Sequence, residues 1–335
     1  MKTILAFGNP LLDITVTSKN CVALLLKEHN LQIDGQKEVS CMEMQSMSEK
    51  IKGLKCHITA GGCSQNSLRV LQWILKRQCN VFIFGSVGRD READLLKECL
   101  TNEGVQTAYI MQENLPTGKT IALISDLNRS LVAHIGAAEV LSLSSLKSYP
   151  NFENIFNSSH ILLIEAFFLT NRSETIEYLL EMCHKHNKIV AFNLCGEYIF
   201  HVVPHAVEDT VKRSTLIFGN RAEFTALACL LKYCSIDEMA KFFTEQNKTM
   251  IVTNGADEVI CYGSEIVKIT PSRIESNQIK DTTAAGDAFI AGYLAGLVMS
   301  KTVRDCIRLG CYASSCIIKE NGCSLPQYEA NIDFL

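Results

Sequence analysis

Short apolar segments rich in β-forming residues alternate along the chain with longer segments whose apolar residues have helical spacing. The short segments predict strands at 3–7, 81–85, 161–164, 189–192, 215–218, 250–253 and 258–262. The longer segments predict helices at 64–77, 91–100, 173–186, 222–232, 235–246, 286–299 and 302–319. Apolar strands separated by helices are typical of a parallel sheet covered on both faces, so we expect an α/β fold with a mostly parallel sheet.

Two regions interrupt this alternation and predict a smaller second layer. Residues 12–58 mix apolar and polar positions, and residues 107–138 read as strands joined by turns near 116–118 and 126–128. Neither region fits a β-α-β unit, so we expect both to contribute to a small β lid. The predicted division places 1–11, 59–112 and 139–335 in a large α/β domain, and 12–58 and 113–138 in the lid.

Composition and charge exclude several classes of protein. The chain has 335 residues, 47% of them apolar, and a net charge of −4, which is typical of a folded protein and argues against nucleic-acid and membrane partners. The apolar N-terminal run ends at Phe7, too early for a signal peptide, and the apolar stretch 288–299 is too short for a membrane span. Fifteen cysteines without a C-x-x-C pair indicate reduced thiols. We therefore expect a monomer located in the cytoplasm, with the nucleus as an alternative location.

The triplet Gly118-Lys119-Thr120 resembles the end of a phosphate-binding P-loop, but its surroundings exclude that motif. Glu113 occupies the position of the required first glycine, and the following residues 120–125 predict a strand rather than a helix. A P-loop needs a helix whose N-terminus faces the phosphates.

Two loops carry candidate ligand-binding residues, each with a purely structural alternative. Gly61 and Gly62 precede a predicted helix with Ser64 as its N-cap and Asn66 in its first turn, which suits either a close ligand or an ordinary turn and cap. Asp13 follows the first strand, at the edge where open α/β sheets bind ligands. Its carboxylate could accept hydrogen bonds from a ribose diol, or it could be a solvated loop acid.

A third candidate site follows the strand predicted at 215–218. Asn220 and Glu223 share one face of a first helical turn, and their oxygens suit Mg²⁺ bound through water. The same spacing is typical of a capping box, in which both side chains bond to backbone N–H groups.

The most informative segment is 281–289, Asp-Thr-Thr-Ala-Ala-Gly-Asp-Ala-Phe, which precedes and begins a long helix. Small side chains leave the N–H groups at the helix start open, and such a terminus binds phosphate. Asp287 lies in the first turn, where a carboxylate could accept a hydroxyl proton during phosphoryl transfer.

This segment resembles the D-T-x-G-A-G-D-x-F signature of the ribokinase-like (PfkB) family of sugar and nucleoside kinases. Further segments are similar to the branch of that family that phosphorylates adenosine, and together they extend from about residue 4 to 328. They are residues 8–14, 60–62, 65–67, 72–73, 116–118, 128–131, 167–170, 218–220 and 321–326.

The resemblance implies a large α/β domain with a small β lid, and transfer of the ATP γ-phosphate to the 5′-hydroxyl of adenosine with Mg²⁺. By position it implies that Asp287 is the base and that Arg129 reaches the phosphates from the lid. The remaining implied contacts are an anion hole (Ala284, Ala285, Gly286), a ribose side (Asn9, Asp13, Gly61, Gly62, Cys63, Asn66), an adenine pocket (Leu11, Gln36, Phe168), an ATP site (Asn220, Thr253, Gly255) and hydrated Mg²⁺ (Asn220, Glu223).

The chain departs from the family pattern at four positions. Ala284 replaces a glycine of the signature, Cys63 a serine beside the ribose, Arg221 a glutamate next to the magnesium motif and Glu197 a common proline. If the backbone at position 284 needs a positive φ, alanine costs about 1 kcal/mol or more there. Two alternatives to an active kinase of this branch therefore stay open: a catalytically weakened nucleoside-binding protein, and a kinase for another nucleoside or a sugar.

Overall fold

The fold contains two sheets, which the computed structural model describes over residues 2–33, 35–125 and 128–333, with backbone only at Gln36, Ser125 and Asn128. The strands are β1 (Thr3–Phe7), β2 (Leu11–Val16), β3 (Gln36–Glu38), β4 (His57–Gly61), β5 (Asn80–Gly88), β6 (Gln106–Gln112), β7 (Gly118–Ser125), β8 (Asn128–His134), β9 (Ile161–Glu165), β10 (Ile189–Asn193), β11 (Leu216–Asn220), β12 (Thr249–Thr253), β13 (Val259–Tyr262) and β14 (Ile266–Ile269).

The large sheet has nine strands in the order β14-β13-β12-β11-β10-β9-β1-β5-β6. The seven strands β12, β11, β10, β9, β1, β5 and β6 pair in parallel with their neighbours. Strands β13 and β14 form an antiparallel hairpin at one edge, and β13 pairs antiparallel with β12. The seven predicted strands are confirmed, and so is the mostly parallel α/β fold. Strand β6 pairs in parallel with β5, so residues up to 112 belong to the large sheet, where the predicted division places them.

The helices cover both faces of the large sheet and one face of the smaller one. They are α1 (Lys19–Glu28), α2 (Cys41–Ile51), α3 (Cys63–Ile74), α4 (Arg91–Asn102), α5 (Leu143–Lys147), α6 (Phe152–Ser158), α7 (Ser173–Lys185), α8 (Ile199–Val202), α9 (Pro204–Arg213), α10 (Arg221–Leu230), α11 (Ile236–Glu245), α12 (Ala285–Val298) and α13 (Val303–Ile317). The seven predicted helices are confirmed to within about three residues at each end.

The smaller sheet has five strands in the order β3-β8-β7-β2-β4. It takes in Leu11 and residues 59–61, so it extends slightly beyond the predicted lid boundaries, and the division into domains itself stays a prediction. Apolar residues from β2 and β7 pack against α1 and α2 in a separate small core that includes Ile14, Val22 and Met44. The sequence pattern suggested a lid made of strands alone, but the lid region also contains helices α1 and α2.

The two long helices α12 and α13 pack unusually closely against each other. A side chain at Gly292 of α12 would collide with the backbone at Leu309 of α13, and Cβ atoms at Gly296 and Gly310 would lie 2.7 and 2.8 Å from Cys306 and Phe289. The G-x-x-x-G spacing of α12 thus serves helix packing. In the described residues no helix is both long and apolar enough to cross a membrane.

Candidate active site

The candidate site lies where the parallel strands of the large sheet end, as expected for an open α/β sheet. Polar residues end four neighbouring strands: Glu165 ends β9, Asn193 ends β10, Asn220 ends β11 and Thr253 ends β12. Because these strands are adjacent and parallel, their ends form one continuous edge. Helix α12 begins near this edge and contacts both α3 and β11.

The start of α12 has the open backbone donors that the sequence predicted, with one correction. The N–H groups of Gly286 and Asp287 lie in the first turn, where an α-helix offers no internal acceptor. The N–H of Ala285, however, donates to the carbonyl oxygen of Thr282 at 3.2 Å, so this amide closes the preceding turn. The donors open to an anion are therefore fewer than predicted.

Ala284 is the N-cap of α12 and has a left-handed backbone, with φ 59° and ψ 11°. This conformation favours glycine because a Cβ lies close to the following carbonyl oxygen. The sequence analysis asked whether position 284 needs a positive φ, and it does. Ala284 therefore carries strain of about 1 kcal/mol or more.

Asp281 holds the loop before α12 in place, a role that sequence reasoning missed. One carboxylate oxygen accepts the N–H of Thr283 at 2.8 Å and also its hydroxyl, and the other accepts the N–H of Gly322 at 3.0 Å. The carboxylate thus ties the loop to the C-terminal segment of the chain. The signal was available, because an aspartate two residues before a threonine is a common local turn.

Asp287 is only 7% exposed and accepts a hydrogen bond of 3.0 Å from the side-chain amide of Asn66. The pKa of its carboxyl group is raised to about 7, chiefly by burial; the hydrogen bond from Asn66 opposes this rise, and the negative charge of Glu165 adds to it. The carboxyl group therefore changes protonation near neutral pH, which suits a general base.

A buried ion pair fixes the orientation of Asn66. Arg69 in α3 is 1% exposed, and its Nη2 donates to Glu103 at 3.0 Å, while its Nη1 donates to the side-chain oxygen of Asn66 at 3.4 Å. With its oxygen engaged by Arg69, Asn66 presents its NH₂ group to Asp287. Arg69 and Glu103 carried no distinguishing sequence signal, because Arg69 lies in α3 and Glu103 follows α4, 34 residues along the chain.

Asp13 lies on β2 of the smaller sheet, half-buried against neighbouring strands. Burial raises the pKa of its carboxyl group, whereas a hydrogen bond from the hydroxyl of Thr120 and the positive charge of Arg129 lower it. A side chain at Gly61 on β4 would collide with this carboxylate. Three of the predicted residues, Asp13, Gly61 and Arg129, are thus brought together on one sheet.

The turn before α3 differs in detail from the prediction. Gly62, not Ser64, is the N-cap; its φ is 90°, and a Cβ there would collide with the carbonyl oxygen of Asn9. Ser64 lies inside the helix, and its hydroxyl donates to the carbonyl oxygen of Phe7 at 3.1 Å. Gly62 is needed because the backbone at Asn9 passes close by, whereas Gly61 leaves room for the side chain of Asp13.

Asn9 is buried, and both ends of its side-chain amide bond within the protein. Its amide NH₂ donates to the carbonyl oxygen of Phe167 at 3.3 Å, and its oxygen accepts Nη2 of Arg172 at 2.9 Å. Asn9 therefore orders the loop after β1, and its contact with a ligand stays a prediction.

The predicted adenine pocket is only partly assembled. Phe168 is 0% exposed and packs against Phe7 and the guanidinium of Arg172, so its ring has no free surface here. The ring next to it, Phe167, is half-buried and stacks on the exposed Tyr198 with centroids 5.6 Å apart. Phe168 stays a prediction for this pocket, and Phe167 has the more exposed of the two rings.

The two other residues predicted for that pocket lie on the smaller sheet. Leu11 is half-buried at the start of β2, next to Gly118 on the neighbouring strand. The backbone of Gln36 pairs with that of Leu131 between β3 and β8, but the side chain of Gln36 lies outside the described part of the structure.

Asn220 and Glu223 form the capping box that was the alternative to a metal site. The N–H of Glu223 donates to the Asn220 side chain at 2.9 Å, and the N–H of Asn220 donates to Oε2 of Glu223 at 2.8 Å. Burial raises the pKa of Glu223, as does the nearby negative charge of Glu197. Within the described residues, no cluster of three acidic, histidine or cysteine side chains could hold a metal ion alone.

The predicted ATP contacts lie beyond this box on the same edge. Thr253 ends β12, and its hydroxyl donates to the carbonyl oxygen of Gly219 at 3.3 Å. Gly255 follows with φ 59° and open space around its Cα. Cys63, the remaining predicted residue, begins α3 and lies beside Asp287 and Cys195; a hydrogen bond with Cys195 and burial raise the pKa of its thiol.

The comparisons with known proteins agree with this geometry. The chain is 28% identical to adenosine kinase 2 of Arabidopsis thaliana over 97% of its own length and 96% of that protein. It is also 28% identical to the adenosine kinase of Dictyostelium discoideum, over 99% of its own length and 98% of that protein.

Among solved structures, an Anopheles gambiae adenosine kinase in complex with P1,P4-di(adenosine-5) tetraphosphate is 28% identical, with a TM-score of 0.84 over 97% of this chain and 98% of that one. The apo adenosine kinase of Trypanosoma brucei brucei shares the fold, with a TM-score of 0.88 at 21% identity over 95% of this chain and 99% of that one. The model of the pfkB family of carbohydrate kinases matches residues 35–330, and the chain belongs to that family.

Proposed function

We propose that this protein is an adenosine kinase, which transfers the γ-phosphate of ATP to the 5′-hydroxyl of adenosine and releases AMP and ADP. The observation that carries the proposal is Asp287: a buried carboxylate with a pKa of about 7, in the first turn of a helix whose N–H groups face the same edge. Full-length similarity to proteins named adenosine kinase supports the choice of nucleoside.

In this proposal Asp287 accepts the proton of the 5′-hydroxyl as the new bond to phosphorus forms. The N–H groups of Gly286 and Asp287, together with the helix dipole, stabilise the charge on the transferred phosphoryl group. Arg129, on the smaller sheet, provides a planar guanidinium for the phosphate oxygens. Asp13 binds the ribose hydroxyls through its carboxylate, with Asn66 holding Asp287 in place.

The capping box suits water-mediated binding of Mg²⁺ rather than direct coordination. It uses Oε2 of Glu223 and the side-chain oxygen of Asn220, and the charges of Glu223 and Glu197 make the region attractive to a hydrated cation. When bound, Mg²⁺ neutralises charge on the ATP phosphates. ATP itself is expected along Asn220, Thr253 and Gly255. The monomeric state and the cytoplasmic location belong to the same proposal.

One panel experiment tests the substrate. ATP consumption is measured with adenosine, guanosine, inosine and ribose at equal concentrations. The proposal expects adenosine to give the highest kcat/KM. A clear preference for ribose or another nucleoside would overturn the choice of substrate.

The strain at Ala284 favours one competing function, a nucleoside-binding protein that has lost most phosphoryl transfer. A methyl group beside the phosphates could block them. We prefer the active kinase because the backbone N–H groups, not side chains, form the anion site, and because Asp287, Arg129, Asn220 and Glu223 are all present. Comparison of the wild type with Ala284→Gly, described in the Discussion, separates the two.

A further inference from the structure

A second buried carboxylate lies close to Asp287 but outside every predicted contact. Glu165 ends β9 and is 1% exposed. Its Oε1 accepts the N–H of Asn9 at 2.8 Å, and its Oε2 accepts the N–H of Ser64 at 2.7 Å. One side chain therefore joins the loop after β1 to the first turn of α3.

The environment is built to fit this carboxylate. A Cβ at Gly8 would lie 2.5 Å from Oε2, so a side chain larger than that of glycine would displace Glu165. The N-cap of α3 is Gly62, which has no side chain to bond to the free N–H groups of the first turn. Glu165 supplies that acceptor from outside the helix, where the helix dipole favours a negative charge.

The two segments that Glu165 joins both lead to the candidate site. The loop at Asn9 leads directly into β2, which carries Asp13, and the first turn of α3 carries Asn66, which bonds to Asp287. A shift of either segment would change the distance between the ribose-binding strand and the base. Displacements of about 1 Å in such arrangements can cost roughly 100-fold in rate.

The charged and titratable groups around Glu165 come from several elements. Arg172 partly compensates its charge, while the thiols of Cys63 and Cys195 and the carboxyl of Asp287 face it from α3, the loop after β10 and α12. The two N–H donors and Arg172 favour the ionised form, which burial opposes. The charge of Glu165 in turn disfavours ionisation of Asp287.

We propose that Glu165 is a positioning residue for phosphoryl transfer, which holds the Asn9 loop and the start of α3 at a fixed distance from Asp287. This proposal rests on the proposed kinase function. Glu165 does not contact the reacting atoms; it acts through the two segments that it joins and through its charge.

The test compares Glu165→Gln and Glu165→Asp with Glu43→Gln, an exposed glutamate in the cap of α2. The Gln variant replaces one acceptor by a donor facing an N–H group and removes the charge. We expect kcat to fall about 10- to 100-fold, and the acidic limb of the kcat/KM profile to move to lower pH. In the Asp variant kcat also falls, but the limb stays near its wild-type position because the charge is kept.

A second measurement is independent of catalysis. Hydrogen exchange followed by mass spectrometry should show faster exchange in peptides covering 8–13 and 62–67 of Glu165→Gln, with the rest of the chain and Glu43→Gln unchanged. Wild-type kcat and an unmoved pH limb in Glu165→Gln would overturn the proposal, and so would uniform acceleration of exchange across the chain. A wild type that phosphorylates no nucleoside would overturn the proposed function instead, while the exchange result still decides the role of Glu165.

Discussion

Asp287 lies among side chains from three other elements, and this arrangement sets its chemistry. Asn66 and Cys63 belong to α3, Glu165 to β9 and Asp13 to β2. The sequence identified Asp287 because it stands in a recognisable motif at a helix start. Its raised pKa could not be predicted, because that value depends on burial and on neighbours that are distant along the chain.

Asp287→Asn should reduce kcat by about 10²- to 10⁴-fold, because it removes the base while keeping the shape. Adenosine affinity, measured by calorimetry, should change little. In the wild type, kcat/KM should rise with pH through about 7, because only the carboxylate form accepts the proton. Near-wild-type turnover in the variant would contradict the assignment.

The same substitution should stabilise the fold at alkaline pH. Between the ordinary pKa of 3.8 and about 7, the folded protein binds more protons at Asp287 than the unfolded chain does, so stability falls as pH rises through this range. Asparagine removes this penalty. The melting temperature of Asp287→Asn should therefore exceed that of the wild type at pH values above about 7, and the difference should shrink in acid.

Ala284→Gly should raise the unfolding free energy by about 1 kcal/mol, because glycine adopts the left-handed backbone of position 284 without strain. Turnover should change by no more than about sixfold. Ser300→Gly is the matched control: its φ is 57°, at the opposite end of α12, so stability should rise without any change in turnover. A gain of about a thousandfold in Ala284→Gly over an almost inert wild type would instead support the binding-protein alternative.

At the level of single elements, helix termini show where a sequence pattern identifies the role of a residue and where it leaves two roles open. The S-x-x-E pattern of Ser40 and Glu43 marks the start of α2, which was nevertheless missed because the surrounding region is mixed in polarity. The N-x-x-E pattern of Asn220 and Glu223 is equally a cap and a candidate cation site. Spacing alone cannot separate these two roles.

Glu223→Gln separates capping from cation binding. Glutamine can retain the capping box, so the melting temperature should stay close to that of the wild type. The Mg²⁺ concentration that gives half-maximal rate should rise about tenfold or more, because a negative charge is lost beside the phosphates. Glu43→Gln, the same change in the cap of α2, should leave the Mg²⁺ dependence unchanged. If Glu223→Gln kept the wild-type Mg²⁺ dependence, Glu223 would act only as a helix cap and the cation-binding role would be contradicted.

Gly292→Ala should destabilise the fold by about 1–3 kcal/mol, although alanine is the better helix former. The added Cβ would collide with the backbone of α13 at Leu309. Gly286→Ala in the same helix is the control, because a Cβ there meets nothing within 4 Å and its stability should be unchanged or higher. Denaturant unfolding of both variants measures the difference, and equal stabilities would contradict the packing argument.

The whole molecule combines a base on the large sheet with charged groups on the smaller one. Asp287 begins α12 against the large sheet, whereas Asp13 and Arg129 lie on strands of the five-stranded sheet. The two sheets are joined by short connections at residues 8–10 and 113–117. The proposed reaction therefore requires both sheets together.

Arg129→Ala should reduce kcat by about 100-fold while changing adenosine affinity only a few-fold, because the guanidinium acts on phosphate oxygens during transfer. Arg129→Lys keeps the charge but loses the planar fork, and it should recover only part of the activity. ATP hydrolysis without adenosine phosphorylation should increase in both variants as water is less well excluded. A loss confined to adenosine affinity would make Arg129 a nucleoside contact.

Much of the large sheet could be predicted from the sequence, because its strands are buried on both faces and stand out as apolar runs. The smaller sheet could be predicted as a region but not strand by strand, since α1 and α2 lie between its strands along the chain. The same limit applies to the site. Residues within local motifs, such as Asp287 and Gly62, were found, whereas Glu165, Arg69 and Phe167 act through contacts between distant segments.

Product analysis tests the central claim most directly. The protein is incubated with ATP, Mg²⁺ and either adenosine or 5′-deoxyadenosine, which lacks the accepting hydroxyl, and the nucleotides are separated and quantified. We predict AMP and ADP in equal amounts with adenosine, no phosphorylated nucleoside with 5′-deoxyadenosine, and a loss of AMP formation of about 10²- to 10⁴-fold in Asp287→Asn. ADP formed without AMP, or AMP formed at the wild-type rate by Asp287→Asn, would contradict the account.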